Sequence, residues 1–219
     1  MFSSLSVWQL KRAFYKQQLQ AQLANYSLEP PILLENSPKY EESLRYHLAT
    51  VQGTFLNENQ ILLDNQTLKG RVGYRVFTPL KLANSDTILL IDRGFIPIKQ
   101  HREEPIIIPT VVGHLTLRGF INQPPKPLAL KCPNMTEIQW PIRVQNLQYD
   151  TISKLLHFPV LPFVLQLETN DPLLFTPIPL SFSTSPEKHL GYALQWFMMA
   201  LTVLIYACVR YYQEKKCAN

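Results

Sequence analysis

A histidine stands at the start of the longest uncharged stretch of the chain, and aromatic residues follow it at helical spacing. His189 precedes residues 190–209, which carry no formal charge. On an α-helix His189, Tyr192, Ala193 and Trp196 occupy positions i, i+3, i+4 and i+7, so they share one face. Histidine is the commonest metal-binding side chain, but such residues are also ordinary anchors at a membrane interface. The residues alone leave both interpretations open.

Other patterns argue against an enzyme. The sequence has no GxSxG, HExxH, GxGxxG or Walker-type motif, each of which would indicate a particular chemistry. Asp92-Arg93 could form a catalytic pair, but an ion pair or turn at a strand end is the stronger alternative. The three cysteines fit neither a disulfide framework nor a CxxC site, and they are Cys132, Cys208 and Cys217. The five histidines are too far apart for a sequence-local metal cluster, and they are His47, His101, His114, His157 and His189.

The composition also bears on the partners. Charged residues make up 17% of the chain, against about 25% in an ordinary soluble domain, and the net charge is only +5. No RGG run, basic helix or aromatic RNA-binding signature occurs, so we expect no nucleic-acid partner.

The uncharged stretch is long enough to cross a bilayer as a helix, which needs about 20 residues. Aromatic residues mark both of its ends, and they are Tyr192, Trp196, Tyr206, Tyr211 and Tyr212. Residues 183–185 offer N-caps, while Pro186 and Glu187 suit a first helical turn. We predict a transmembrane helix over 184–212. The basic residues after it place the tail, 213–219, in the cytoplasm or a mitochondrial matrix.

The first residues, 1–24, form a predicted helix with an unusual composition. Only ten residues precede Lys11, too few to span a bilayer, yet Trp8, Lys11, Arg12 and Tyr15 resemble the flank where a membrane helix leaves the bilayer. We expect that a first transmembrane helix precedes this segment or has been lost from it.

The region between, 25–183, is predicted to be a β-rich domain outside the membrane. Short runs rich in β-branched and aromatic residues alternate with turn signals such as Asp64-Asn65 and residues 83–86. The predicted strands lie at 45–56, 60–63, 71–80, 87–98, 114–122, 143–149 and 163–169. Residues 152–156 are predicted to form a short helix that Pro159 stops. The fold class is therefore a membrane-anchored α+β protein with a mostly antiparallel barrel or sandwich.

Two residues interrupt the most apolar of these strands. Gly94 permits a backbone conformation that other residues avoid, and Arg93 must find an acceptor or reach solvent because an unpaired buried guanidinium is costly. A β-bulge with a capping arginine explains both residues without any activity.

Four sequence motifs, in this order and spacing, resemble the Surfeit locus protein 1 family over nearly the whole chain. They are Trp8-Gln9-Leu10 with Arg12 and Lys16; Gly73-Tyr74 with Thr78-Pro79; Asp92-Arg93-Gly94-Phe95-Ile96-Pro97; and His189-Leu190-Gly191-Tyr192-Ala193 with Gln195-Trp196-Phe197. Two departures are visible. The family carries a transmembrane helix just before its Trp-Gln segment, and it often has tryptophan where this chain has Phe95.

The resemblance implies an assembly factor for cytochrome c oxidase that helps to place haem a in the catalytic subunit. Its partners would be that subunit, other oxidase assembly factors and membrane lipid. The family histidine carries over to His189 as a candidate ligand of haem iron, with Tyr192 and Trp196 beside the porphyrin and Ala193 leaving room for it. The expected location is a bacterial inner membrane with the domain in the periplasm, or alternatively a mitochondrial inner membrane facing the intermembrane space.

Three other functions remain open at this stage. A docking scaffold that binds no haem is the first alternative. A copper-delivery factor is disfavoured because Cu(I) prefers clustered thiolate and thioether ligands. An enzyme acting on haem side chains is disfavoured because no acid–base pair or redox centre is visible.

Overall fold

Two separate units make up the computed structural model, which describes residues 1–26, 28–34, 42–98, 106–123, 139–180 and 186–218. One unit is helical and comprises Met1–Asn25 and Ser181–Asn219; the other is β-rich and comprises Tyr26–Leu180. The helices are α1 (Phe2–Tyr26), α2 (Tyr149–Leu156) and α3 (Pro186–Ala218), with a 3-10 turn at Glu42–Leu44. The strands are β1 (Ile32–Leu33), β2 (Leu48–Phe55), β3 (Ile61–Leu68), β4 (Arg71–Leu82), β5 (Ile88–Pro97), β6 (Leu115–Asn122), β7 (Ile142–Val144) and β8 (Val160–Leu167).

The strands form one sheet that closes on itself. Its order is β1-β2-β6-β8-β5-β4-β3-β7, and a further pairing of β2 with β4 closes a ring of β2, β6, β8, β5 and β4. At the closure a Cβ on Gly53 would lie 2.2 Å from the carbonyl oxygen of Lys81. The missing side chain at Gly53 therefore permits the close approach of β2 and β4.

Both faces of the central strand β5 are buried. Leu89 and Ile91 belong to a core cluster that also includes β2, β6 and β8, whereas Ile88 and Leu90 pack in a second cluster with α2. Successive side chains of a strand point to opposite faces, so a strand covered on both sides is apolar at nearly every position. That is why residues 88–91 read as a continuous apolar run.

The α+β class and the barrel-like sheet agree with the prediction, and two local predictions were wrong. Asp64-Asn65 is not a turn: β3 continues through it with a register shift against β4, and Asn65 has a φ of 57°. The strand predicted at 143–149 is only β7, because Tyr149 begins α2. The pairing is also mixed, since β1–β2, β3–β7 and β5–β8 run parallel.

The predicted β-bulge in β5 is confirmed. Arg93 and Gly94 lie opposite the single residue Val76 of β4. Gly94 has a φ of 88°, and a Cβ there would lie 2.6 Å from the carbonyl oxygen of Thr176. Only glycine satisfies both constraints, because a side chain would be strained by the backbone and blocked by the neighbouring segment.

A buried polar network lies beside the bulge. The fully buried carboxylate of Asp92 accepts hydrogen bonds from Arg75 of β4, with Nε 2.6 Å from Oδ2, and from the backbone N–H of Gly94 at 2.9 Å. Arg75 also donates to Gln166 of β8 at 3.2 Å, and Asn122 of β6 donates to the same oxygen at 3.1 Å. The pair was expected within Asp92-Arg93, but the partner of Asp92 is Arg75 on the neighbouring strand.

Replacing Gly94 by alanine should destabilise the β-rich unit strongly. A positive φ costs an L-residue roughly 1–2 kcal/mol. Gly113→Ala is a matched control for this cost, because Gly113 has a φ of 102° and nothing lies within 4 Å of its Cβ position. We expect Gly94→Ala to lose roughly 3 kcal/mol, because Thr176 must also move. Urea unfolding of the full chain in detergent would measure both, and equal losses would show that the contact with Thr176 is unimportant.

Neutralising Asp92 should be far more costly than neutralising an exposed partner. Asp92→Asn leaves the buried guanidinium of Arg75 without its counter-charge, and breaking such a pair costs about 3–5 kcal/mol. Asp86 offers a matched control, since it pairs with Lys81 at 2.8 Å while its side chain is 80% exposed. Asp86→Asn should cost less than about 1 kcal/mol. Similar unfolding free energies for the two variants would contradict a structural role for the buried pair.

Candidate functional site

The candidate site lies in the helical unit, near the start of α3. This helix has 33 residues, so it is about 50 Å long. Within the described residues it is the one helix long and apolar enough to cross a membrane. Pro186 is its first residue and Glu187 lies in its first turn, as predicted, while the N-caps predicted at 183–185 lie outside the described residues.

The first turns of α3 pack antiparallel against α1. The ring of Phe2 stacks on Trp196 with centroids 5.8 Å apart, and the hydroxyl of Ser6 donates to the carbonyl of Ala193 at 2.9 Å. Both Ser6 and Ala193 are buried. Small residues let two helix backbones approach closely, which explains how a serine hydroxyl reaches a backbone carbonyl of the other helix.

The next contact along this interface involves the candidate ligand. Nδ1 of His189 lies 2.7 Å from Oε1 of Gln9. With the amide oxygen facing the ring, the contact is a hydrogen bond in the tautomer that carries its proton on Nδ1, because an amide oxygen accepts and does not donate. In a neutral imidazole the lone pair then resides on Nε2, and no described residue forms a hydrogen bond to Nε2.

The residues of the predicted face of α3 do not all have the same surroundings. His189 and Trp196 both lie against α1, but Tyr192 is 51% exposed and stands to one side. The room expected at Ala193 is absent, because Ser6 fills it. A ligand of His189 would therefore approach from the side of Tyr192, whose ring is exposed.

These residues fit an axial ligand of haem iron. Iron-binding histidines usually donate their second ring N–H to an oxygen acceptor, which orients the ring. Gln9 supplies that acceptor, and His189 is half-buried at the boundary of an apolar segment. No group of three or more His, Cys, Asp or Glu side chains that could hold a metal ion occurs among the described residues.

The remaining motif residues are divided between the two units. Trp8 is half-exposed, with the guanidinium of Arg12 lying 5.9 Å from its ring centre. Gly73 pairs with Pro97 across β4 and β5, and Pro79 pairs with Leu90. Buried Tyr74 lies beneath Arg143, and the hydroxyl of buried Thr78 donates to Gln60 at 2.6 Å. In the β-rich unit these motif residues therefore take part in strand pairing and core packing.

Arg93 has the acceptor that the sequence required. Its Nε donates to the carbonyl oxygen of Leu173 at 3.0 Å, and its guanidinium lies 4.9 Å from the ring centre of Phe175 and 5.7 Å from that of Phe55. Burial lowers the pKa of the guanidinium from its ordinary value, and the charge of Asp171 opposes that shift. The arginine anchors the segment 173–176 to the bulge.

Sequence reasoning missed two sets of partners. Gln9 was noted as part of a motif but not as the partner of His189, from which it is 180 positions distant. Gln166 and Asn122, which complete the polar network around Arg75, were not singled out at all. One signal was available for them: each is a polar residue within a predicted strand, where a buried amide needs partners.

The chain was also compared with known proteins. The sequence pattern of the SURF1 family matches residues 1–201. A SURF1-like protein of Monosiga brevicollis is 26% identical over 94% of this chain and 82% of its own length. A SURF1-like protein of Drosophila melanogaster is 28% identical over 46% of this chain and 39% of its own length. Surfeit locus protein 1 of Mus musculus is 27% identical over 54% of this chain and 43% of its own length.

The matched part spans less than half of the fly and mouse relatives, whereas the family pattern extends from α1 into α3 and so includes both units. The matched range also includes the residues of all four motifs, among them Gln9 and His189. The chain belongs to the SURF1 family.

Proposed function

We propose that this protein is a membrane-bound assembly factor for cytochrome c oxidase that holds haem a for the catalytic subunit or stabilises that subunit during haem insertion. It acts as a chaperone and changes no covalent bonds. The observation that carries the proposal is the hydrogen bond from Nδ1 of His189 to Gln9, which leaves Nε2 with an unshared electron pair. Other oxidase assembly factors and membrane lipid are the further partners that we propose.

Haem supplies an iron centre that accepts an imidazole nitrogen as an axial ligand. The contribution of the chain is to hold His189 in one orientation at the edge of an apolar segment, where an amphipathic molecule can partition from the bilayer. The exposed ring of Tyr192 lies on the open side and offers an aromatic contact. Trp196 contributes indirectly, since its stacking on Phe2 keeps α1 beside the histidine.

The length of α3 and the apolar character of 190–209 support a membrane location. We propose the bacterial inner membrane as the location. The basic residues that follow the apolar segment would keep the tail in the cytoplasm and so place the β-rich unit in the periplasm. The mitochondrial inner membrane, with the β-rich unit in the intermembrane space, is the alternative. Fractionation of cells that express the tagged chain, combined with protease protection, separates these locations.

Removing the imidazole should strongly reduce haem retention. The full-length protein would be purified in mild detergent from cells that make haem a, beside His189→Ala and the control His114→Ala, which changes an exposed histidine before β6. We expect wild type and the control to show the same haem spectrum. His189→Ala should retain roughly tenfold less haem or lower still, because even the loss of an outer-shell partner typically costs 10–100-fold in metal affinity.

The other outcomes discriminate between functions. A His189→Ala protein as strongly coloured as wild type would reject the ligand role. A colourless wild type that still co-purifies with oxidase subunits would favour the docking scaffold. Stoichiometric copper in the purified protein would favour copper delivery instead.

A further inference from the structure

We infer that Gln9 is a positioning residue that fixes the tautomer of His189 and directs its Nε2 lone pair away from α1. The inference concerns the hydrogen bond itself; its meaning for haem rests on the proposed function. Gln9 lies on α1 and the candidate ligand lies on α3. The motif around Gln9 would therefore act on His189 across the interface of the two helices.

With the amide oxygen of Gln9 facing the ring, the hydrogen bond assigns the imidazole proton to Nδ1. Oε1 of Gln9 is 2.7 Å from Nδ1 of His189, a short distance for an N–H···O bond. The glutamine oxygen has no proton to give, so the bond requires the proton on Nδ1. Without that acceptor, nothing in the described part of the helical unit would favour Nδ1–H over Nε2–H.

The packing of the two helices keeps Gln9 in place. Phe2, Ser6 and Gln9 are separated by four and three positions on α1, and they contact Trp196, Ala193 and His189, which are separated by three and four positions on α3. Residues at this spacing lie on one face of each helix. The stacked rings and the buried hydroxyl therefore fix the register that brings the amide opposite the imidazole.

The amide also sets the strength of the interaction. A neutral amide oxygen accepts a hydrogen bond of ordinary strength, whereas a carboxylate at the same position would form a charge-assisted bond roughly twice as strong. A stronger acceptor on Nδ1–H makes Nε2 a better electron donor. Glutamine therefore orients the ring while leaving the donor strength of Nε2 moderate.

Nitrogen NMR of the haem-free protein tests the tautomer directly. The full chain would be labelled with ¹⁵N-histidine and measured in detergent micelles at a pH where imidazole is neutral. The signals absent from His189→Ala identify His189. We expect a protonated Nδ1 and an unprotonated Nε2 in wild type and in Gln17→Leu, a control that changes an exposed glutamine of α1. In Gln9→Leu the Nε2–H tautomer should appear, and Gln9→Glu should restore the wild-type tautomer.

Either of two results would overturn the inference: a protonated Nε2 in wild type, or an unchanged tautomer in Gln9→Leu. Neither depends on haem. If Gln9→Leu were to unfold, Gln9→Glu would still provide a test, because a carboxylate should shift the Nδ1 proton signal further downfield than the amide does. An unshifted signal in Gln9→Glu would also overturn it.

The same variants separate this inference from the proposed function. If both hold, haem affinity should fall about 10–100-fold in Gln9→Leu, and Gln9→Glu should retain haem with a lower midpoint potential. If His189→Ala loses haem while Gln9→Leu matches wild type in tautomer, affinity and potential, the proposed function stands and the inference is wrong. If the tautomer responds to Gln9 but His189→Ala keeps all of its haem, the proposed function is wrong and Gln9 positions the ring for another purpose.

Discussion

The β-rich unit depends on one buried carboxylate. Asp92 lies inside the sheet with no exposed surface, and it binds both the guanidinium of Arg75 and the backbone at Gly94. Burying a charge is expensive unless it is paired and fully hydrogen-bonded. The bulge at Gly94 supplies one of those hydrogen bonds, and the amide of Gln166 extends the network to a third strand. The backbone of the bulge and the buried polar network are therefore linked through Asp92.

Much of the fold could be predicted from the sequence, because several of its elements are determined by residues that are close together in the chain. The apolar run in β5, the glycine of the bulge and the proline and glutamate that open α3 all act within a few residues. The failures have equally local causes. Asp64-Asn65 is a strong turn signal, yet β3 pairs with β4 both before and after the dipeptide, which becomes a bulge. The predicted strand at 143–149 contains enough apolar residues for either structure, and the amphipathic spacing of Ile152 and Leu156 favours α2.

The candidate site was predictable only in part. The helical spacing of His189 and Trp196 correctly places both on one face, because helix geometry is regular. What covers that face is decided by another helix from the opposite end of the chain, and no periodicity in α3 reveals it. Hence Ala193 was interpreted as space for a ligand, although Ser6 occupies it. A polar residue such as Gln9 among apolar ones is a useful signal in such a case, because a buried polar side chain needs a partner.

The position of β8 in the chain has a consequence for biosynthesis. Arg75 and Gln166 are 91 residues apart in sequence, and the side chain of Gln166 donates in turn to the carbonyl of Ile178, eight residues before α3 begins. Contacts of such long range form late, because the intervening chain must first be ordered. The ribosome therefore has to finish almost the whole β-rich unit before its polar interior can assemble. The apolar helix follows immediately in the chain, so the last partner of this polar network and the helix are synthesised in the same interval.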